Sequence, residues 1–220
     1  MMNEPAGKSP ATLFYFADPM CSWCWGFSPV IEALVRSFPT LPVSLIMGGL
    51  RAGNASPTTP AFRDEILHHW QEVHRRTGQS FSFEHALPDG FVYDTEPACR
   101  AVVTLIGLSR PAALAYFRSI QKAFYIEHAD VTGIDMLSRL VEEFGVEASD
   151  FRRHFESEAV RAKTRRHFAF AQQVGVRGFP TIVLGDERGY RLLTHGYQTC
   201  DALQPLVEEW MEESLRVSPS

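Results

Sequence analysis

The sequence predicts an α/β fold in which a central mixed sheet is flanked by helices and interrupted by a large all-helical insertion. Short apolar runs typical of strands lie near both ends of the chain, at residues 12–17, 43–49, 179–185 and 190–196. The long stretch between the second and third runs has helical periodicity instead. With 45% apolar and 21% charged residues, the composition is that of an ordinary globular protein.

The first unit is a strand, a helix and a second strand. The run TLFYFA ends at Asp18-Pro19, and a helix is predicted to begin near Ser22. Its core-facing stripe comprises Ile31, Leu34, Val35 and Phe38. The run VSLIMGG then forms the second strand, which a right-handed crossover places parallel to the first.

The middle of the chain is predicted to be helical, from residue 61 to residue 174. Helices are expected over residues 61–77, from Thr95 onward, and over 110–126, 134–144 and 158–174. Gly145 follows the fourth of these and is predicted to cap it.

The last unit is a hairpin followed by a helix. FPTIVLG and YRLLTHG are joined by the turn residues DERG, and Cys200 opens a final helix. Its apolar stripe comprises Leu203, Leu206, Val207 and Trp210. Without the helical middle, this order of elements is that of the thioredoxin fold. We therefore predict a thioredoxin-like domain built from residues 10–60 and 175–217, with residues 61–174 as a helical insertion domain.

Charge and hydropathy exclude several classes of partner. The formal net charge of −5 offers no attraction to nucleic acid or to an anionic membrane surface. No segment approaches the roughly 20 apolar residues that span a bilayer. Residues 1–10 contain no apolar run of the signal-peptide type. We therefore expect the protein to be cytoplasmic. In the cytoplasm a C-x-x-C pair is more often catalytic or metal-binding than structural.

The stretch FADPMCSWCWGF places Cys21 and Cys24 three positions apart. A zinc site would need two further ligands at suitable spacing, and the other two cysteines, Cys99 and Cys200, are isolated in the sequence. Two buried free thiols are a second interpretation, because cysteine is among the most buried residue types. A redox pair is the third, and the position of the pair favours it.

Cys21 lies at the predicted start of a helix, where unpaired backbone N–H groups and the helix dipole favour an anion. A thiol in this position loses its proton more readily, and the thiolate is the nucleophile of disulfide exchange. Cys24 follows one turn later, close enough to attack a mixed disulfide formed at Cys21.

A second motif, GVRGFPTIVLG, contains Phe179-Pro180 at the start of a predicted strand. Either a cis proline or an ordinary trans proline opening a strand would fit there. Together, Cys-Ser-Trp-Cys at a helix start, the helical insertion and Gly-Phe-Pro-Thr before a hairpin resemble the DsbA-like thiol-disulfide oxidoreductases of the thioredoxin superfamily. The resemblance extends from about Thr12 to Leu215.

The resemblance implies specific roles for these residues. Cys21 matches the exposed nucleophile and Cys24 the resolving cysteine, with Ser22 and Trp23 as the dipeptide that tunes the thiolate and faces the substrate. Pro180 matches the cis-proline beside the disulfide, and Phe179 the residue whose backbone pairs with a bound substrate strand. The implied partners are protein or small-molecule thiols and disulfides. No metal or bound cofactor is implied, although glutathione is a possible thiol co-substrate.

Two differences from the periplasmic oxidants of the family determine which activity we expect. The periplasmic oxidants of the family carry Pro-His between their cysteines and have a signal peptide, whereas this chain has Ser-Trp and no apolar leader. The sequence is closer to the cytoplasmic members with a Cys-x-Trp-Cys-Trp-Gly core, so we expect reductase or isomerase activity. The same core also resembles bacterial protease adaptors of this fold, which do no redox chemistry. Glutathione-dependent isomerases of the superfamily are a more distant alternative, since they have serine in place of Cys21.

Three residues near the pair have more than one interpretation. Asp18 could accept a proton from Cys24 or could simply form the turn with Pro19. Trp25 is predicted to be in the core and Trp23 at the surface. Cys99, on the apolar stripe of its helix, is predicted to be buried.

Overall fold

A four-stranded mixed sheet forms the centre of the protein. The computed structural model describes residues 11–217, with side chains through residue 214. The strands are β1 (Thr12–Ala17), β2 (Val43–Met47), β3 (Thr181–Asp186) and β4 (Gly189–His195), in the order β2-β1-β3-β4. Residue 10, the predicted domain start, and the N-terminal stretch considered for a signal peptide lie outside the described residues.

The strand pairings confirm the predicted thioredoxin fold. β1 and β2 are parallel and are connected through helix α1 (Ser22–Ser37), whereas β3 is antiparallel to both β1 and β4. The chain ends in helix α8 (Cys200–Val217). Leu206, assigned to the apolar stripe of α8, is instead 41% exposed, because the buried side of the helix is narrower than the sequence pattern suggested.

Six α-helices lie between β2 and β3 within the described residues. They are α2 (Pro60–Thr77), α3 (Glu96–Leu108), α4 (Ala113–Tyr125), α5 (Ile134–Leu140), α6 (Ala148–Phe155) and α7 (Glu158–Gln173). Residues 110–112 and 141–144 form 3-10 turns next to α4 and α5, and Gly145 ends the latter turn in the left-handed conformation. None of the helices described has the length and apolar character needed to cross a bilayer.

Helix α6 was not predicted from the sequence. It has eight residues, and its two buried side chains are Phe151 and Phe155. One apolar pair at i and i+4 is too short a pattern to define a helical period, so tertiary burial determines this element.

The two faces of β1 contribute to different parts of the core. Leu13, Tyr15 and Ala17 belong to the large cluster that also contains the buried side chains of α1 and α8. Phe14 and Phe16 belong to the opposite side, where the ring of Phe16 stacks on Phe170 of α7 with centroids 5.9 Å apart. The cysteine motif that follows β1 is therefore supported on both faces of the strand.

Helix α2, the first helix after β2, packs directly on α1 at Gly26. A Cβ atom added to Gly26 would lie 2.7 Å from Val73 Cγ1 and 2.9 Å from Thr77 Cγ2, both closer than carbon atoms normally approach. The absence of a side chain at position 26 allows α2 to lie against the first turns of α1. The glycine that follows Cys-x-Trp-Cys-Trp thus positions the insertion beside the cysteine pair.

This contact predicts different effects for the same substitution in two helices. Gly107→Ala in α3, whose added Cβ meets nothing within 4 Å, should stabilise the protein by about 0.5–1 kcal/mol through helix propensity. The free energy of unfolding of Gly26→Ala should be about 1–3 kcal/mol lower than that of Gly107→Ala, because the new methyl group overpacks the contact with α2. Urea denaturation of both variants measures this difference, and equal stabilisation by the two substitutions would contradict the packing described.

Candidate active site

Cys21 is the N-cap residue of α1. Its backbone is extended, with φ −90° and ψ 117°, and its carbonyl accepts a hydrogen bond from Trp25 N at 3.0 Å. Its own N–H donates to the Asp18 carbonyl at 3.1 Å, which fixes the turn that precedes the helix. The Cys21 side chain is therefore held at the end of the helix where N–H groups are unpaired. The structure places this thiol at the predicted helix start, but Cys21 is only 5% exposed and not the exposed cysteine that the resemblance implies, because its thiol packs against the Phe179 carbonyl.

Cys24 lies one turn further into α1 and is completely buried. Burial, followed by the hydrogen bond and the charge interaction with Cys21, raises the pKa of Cys24 well above its ordinary value. The Cys24 sulfur is therefore a thiol at neutral pH. Both cysteines are free thiols in this structure.

The Phe179-Pro180 loop comes from the other end of the chain and faces Cys21. Its peptide bond is cis, and the Cys21 thiol donates to the Phe179 carbonyl oxygen at 3.6 Å. Pro180 is buried and its carbonyl accepts from Gly196 N at 2.7 Å. The fold thus brings together the two motifs singled out in the sequence.

Gly48, at the end of β2, allows the loop to approach this closely. A Cβ atom at position 48 would lie 1.9 Å from Cζ of the Phe179 ring. The Phe179 ring therefore packs directly against the Gly48 backbone, while the Phe179 carbonyl contacts Cys21. No local pattern in the sequence connects these two residues.

A cleft of about 290 Å³ opens at Cys21. Ser22, Trp23 and Phe179 line it, as expected for residues that face a substrate. Much of the remaining wall was not predicted from the sequence: Leu50 and Arg51 from the loop after β2, Glu65, Ile66, His69 and Trp70 from α2, and Tyr93. The sequence carries no local signal for this wall, because α2 reaches the cleft only through its packing on Gly26.

Arg51 is the fixed positive charge of this cleft. Its guanidinium carbon lies 4.5 Å from the centroid of the Phe62 ring and 5.6 Å from that of Tyr93. Two aromatic contacts orient the guanidinium group without neutralising its charge. Arg51 therefore offers a positive charge to an anionic group in the cleft, whose wall also contains the carboxylate of Glu65.

The two tryptophans of the motif are in different environments, as predicted. Trp25 is buried, its Nε1 donates to the Ser80 carbonyl at 2.8 Å, and its ring stacks on Tyr125 with centroids 6.0 Å apart. Trp23 is partly exposed, lines the cleft and lies 6.4 Å from the ring of Tyr197. Trp25 connects α1 to the insertion, whereas Trp23 is accessible to a ligand.

Asp18 is a completely buried carboxylate that joins three parts of the chain. Its oxygens accept from Met20 N at 2.9 Å, from Leu50 N at 2.7 Å and from the Cys99 thiol at 3.3 Å, with a further hydrogen bond from the side chain of Thr95. Burial raises the pKa of Asp18, and the backbone donors oppose that rise. Asp18 forms the predicted turn, and its carboxylate oxygens are already occupied by donors other than Cys24.

The other cysteines are not part of the cleft wall. Cys99 is completely buried, as predicted, and donates to Asp18. Cys200 is partly exposed at the start of α8. Over residues 11–217, no three His, Cys, Asp or Glu side chains are grouped so that they could hold a metal ion.

The hydrogen bonds of Asp18 predict a stability loss in Asp18→Asn. An amide offers one acceptor oxygen, so at least one buried donor loses its partner, and the free energy of unfolding should fall by about 1–3 kcal/mol. Asp94→Asn is the matched control, because Gly53 N and Glu96 N both donate to the same oxygen, Oδ1, of this partly exposed residue. Chemical denaturation should show a change of at most about 0.5 kcal/mol in the control. An equally small change in Asp18→Asn would show that its carboxylate does not hold these loops.

Comparison with known proteins agrees with this architecture. Residues 12–208 match the DSBA-like thioredoxin domain. The structure of a proposed protein disulfide isomerase from Nitrosomonas europaea is 41% identical, with a TM-score of 0.87, over 92% of this chain and 98% of that one. The cytosolic disulfide reductase DsbM from Pseudomonas aeruginosa, solved with GSH, is 28% identical, with a TM-score of 0.76, over 91% of this chain and 99% of that one.

A curated relative has a different role. The ClpXP adapter protein SpxH of Halalkalibacterium halodurans is 22% identical over 198 residues, which are 86% of this chain and 64% of the adapter. The chain thus spans just under two thirds of the length of this adapter. The family match covers far more than half of the sequence and coincides with the fold and the cysteine motif. The chain belongs to the family of DSBA-like thioredoxin domains.

Proposed function

We propose that the protein is a thiol-disulfide oxidoreductase of the disulfide reductase or isomerase type. The observation that carries this proposal is the position of Cys21, at the N-cap of α1, in an open cleft and 3.6 Å from the Phe179 carbonyl, with the buried Cys24 thiol one turn behind it. This arrangement supplies an attacking thiol, a resolving thiol and a backbone acceptor for the substrate. The disulfide reductase and isomerase named among its structural neighbours support the same chemistry.

The first step is attack by Cys21 on a substrate disulfide. The Cys21 thiolate bonds to one substrate sulfur, and the other sulfur leaves as a thiolate that takes up a proton. The N–H groups of the first turn of α1 stabilise the attacking anion. Burial raises the pKa of Cys24 and keeps it out of the cleft, so Cys21, which lines the cleft, is the thiol that a substrate disulfide can reach.

The Phe179-Pro180 loop and the dipeptide Ser22-Trp23 hold the substrate. In the reduced protein the Phe179 carbonyl accepts from the Cys21 thiol. Once Cys21 has lost its proton or formed a mixed disulfide, this carbonyl is released and can accept from the backbone of an extended substrate. Trp23 provides an apolar surface beside it. Binding is thereby coupled to the chemical state of Cys21.

We expect glutathione to be the thiol that returns the pair to its reduced form. Arg51 offers a positive charge for a glutathione carboxylate, and the DsbM structure was solved with GSH. The direction of electron flow depends on the reduction potential of the pair, with roughly 30 mV for each tenfold change in equilibrium. In a reducing cytoplasm the net reaction would be reduction or isomerisation of substrate disulfides.

Replacing Cys21 tests the proposal directly. Cys21→Ser should abolish the glutathione-dependent reduction of insulin disulfides, because the attacking thiolate is lost. Cys200→Ser, which removes a partly exposed thiol outside the cleft, should retain wild-type turnover. In Cys24→Ser the mixed disulfide at Cys21 should accumulate and be detectable by mass spectrometry. Full turnover by Cys21→Ser would refute this function.

The adapter relatives favour one second candidate, a binding protein that performs no redox chemistry. In that case the cleft would bind a partner without exchange of disulfides. The pair would then be dispensable, and Cys21→Ser/Cys24→Ser would bind purified partner with unchanged affinity. A protein that forms no Cys21–Cys24 disulfide across the range of cytosolic potentials would favour the adapter over the enzyme.

A further inference from the structure

Tyr15 has a buried hydroxyl without a conventional partner. The residue lies in the middle of β1 and is completely buried, with its ring centroid 6.0 Å from those of Phe27 and Phe117. Among the residues that the structure describes, Tyr15 Oη has no well-formed hydrogen bond. A buried hydroxyl left in this state is costly, so its retention calls for an explanation.

The group that Tyr15 faces is Cys24. Cys24 and Phe27 are separated by three positions in α1 and therefore share the helix face that packs on β1. The Tyr15 hydroxyl is near enough to Cys24 for the two groups to interact electrostatically, but in the resting protein they form no hydrogen bond. A neutral thiol is a weak acceptor, whereas a thiolate is a strong one. The contact therefore has little value in the resting protein and much more once Cys24 is ionised.

We propose that Tyr15 is a positioning residue for the resolving step, and that its hydroxyl donates a hydrogen bond to Cys24 when this sulfur becomes a thiolate. The proposal rests on the proposed oxidoreductase function. Burial, with the neighbouring Cys24 and Cys21, raises the pKa of Tyr15 well above its ordinary value, so the hydroxyl keeps its proton and remains a donor.

The step concerned begins with a substrate sulfur bonded to Cys21. Cys24 loses its proton and attacks Cys21 Sγ, the Cys21–substrate bond breaks, and the departing substrate thiolate takes up one proton. The products are the Cys21–Cys24 disulfide and a substrate thiol. The protein supplies the two electrons that reduce the substrate. Tyr15 neither gains nor loses a proton; it lowers the free energy of the buried anion formed along the way.

The surroundings of Cys24 provide few other means of stabilising that anion. The backbone N–H of Asp18 is one donor, while the negative charge of the Asp18 carboxylate opposes ionisation. Cys21 carries no charge at this step, because its sulfur is bonded to the substrate. Glu65 and His69 of α2 border the cleft on the Cys21 side. Loss of the Tyr15 hydroxyl would leave the Cys24 anion with the Asp18 N–H as a donor and the Asp18 carboxylate opposing it.

The test is the two-step reaction of the reduced protein with Ellman's reagent, followed by stopped flow in a Cys200→Ser background. Attack by Cys21 releases a first thionitrobenzoate ion, and attack by Cys24 on the mixed disulfide releases a second. In Tyr15→Phe the first phase should be unchanged, and the second should be at least about tenfold slower at neutral pH. The pKa that governs the second phase should rise by about one pH unit, so the pH profile of its rate should move toward alkaline pH.

Tyr125→Phe is the matched control. The Tyr125 hydroxyl is likewise buried without a hydrogen bond among the described residues, but it interacts with Tyr93 and with Cys21 rather than with Cys24. Tyr125→Phe should therefore leave the second phase and its pH profile unchanged. A ring-fluorinated tyrosine at position 15, a stronger donor of nearly the same shape, should accelerate the second phase and so tests the proposal even if Tyr15→Phe folds poorly.

The possible outcomes separate the two proposals. A second phase in Tyr15→Phe that matches the parent protein in rate and pH profile would overturn the role of Tyr15 and leave the oxidoreductase function intact. Equal slowing by Tyr125→Phe would overturn it as well, because the effect would then come from general packing. A parent protein that releases only the first ion would refute the oxidoreductase function and, with it, the role of Tyr15.

Discussion

The buried carboxylate of Asp18 is the interaction on which the cleft depends. Donors from the β1–α1 loop, the loop after β2 and helix α3 all meet at its two oxygens. Two of these donors, the Met20 N–H and the Cys99 thiol, belong to completely buried residues, so no solvent molecule can replace the carboxylate there. Met20 and Leu50, whose N–H groups bind Asp18, also line the cleft. Asp18 therefore holds in place two of the residues that line the cleft.

Two glycines allow the Phe179-Pro180 loop and helix α2 to pack closely around the cleft. Gly48 lets the Phe179 ring lie against the backbone, so that the Phe179 carbonyl reaches Cys21, and Gly26 lets α2 lie against α1. The first contact brings a backbone carbonyl to Cys21, and the second supplies the wall that contains Glu65 and His69. Close packing of this kind tolerates little change in volume, which makes the cleft a preformed site.

The difference between the two thiols arises from their position in one helix. Cys21, 5% exposed, is at the N-terminal end and lines the cleft, whereas Cys24 is completely buried and retains its proton at neutral pH. Under the proposed function, such a pair would separate attack from resolution without a histidine between the cysteines. The buried sulfur would then need a nearby donor as it ionises, and we propose the hydroxyl of Tyr15, on the adjacent strand, for that role.

The sequence alone determined the strands, most of the helices, the fold and the motifs at Cys21 and Phe179-Pro180, because hydrophobic period and turn chemistry are local properties. It did not reveal helix α6, the partners of Asp18 or the part of the cleft wall that contains Arg51 and His69. These depend on which distant segments become buried together, and burial is a property of the packed chain. Tyr15 illustrates the difference: in the sequence it is one aromatic residue of an apolar strand, and only the packing of β1 on α1 places its hydroxyl beside Cys24.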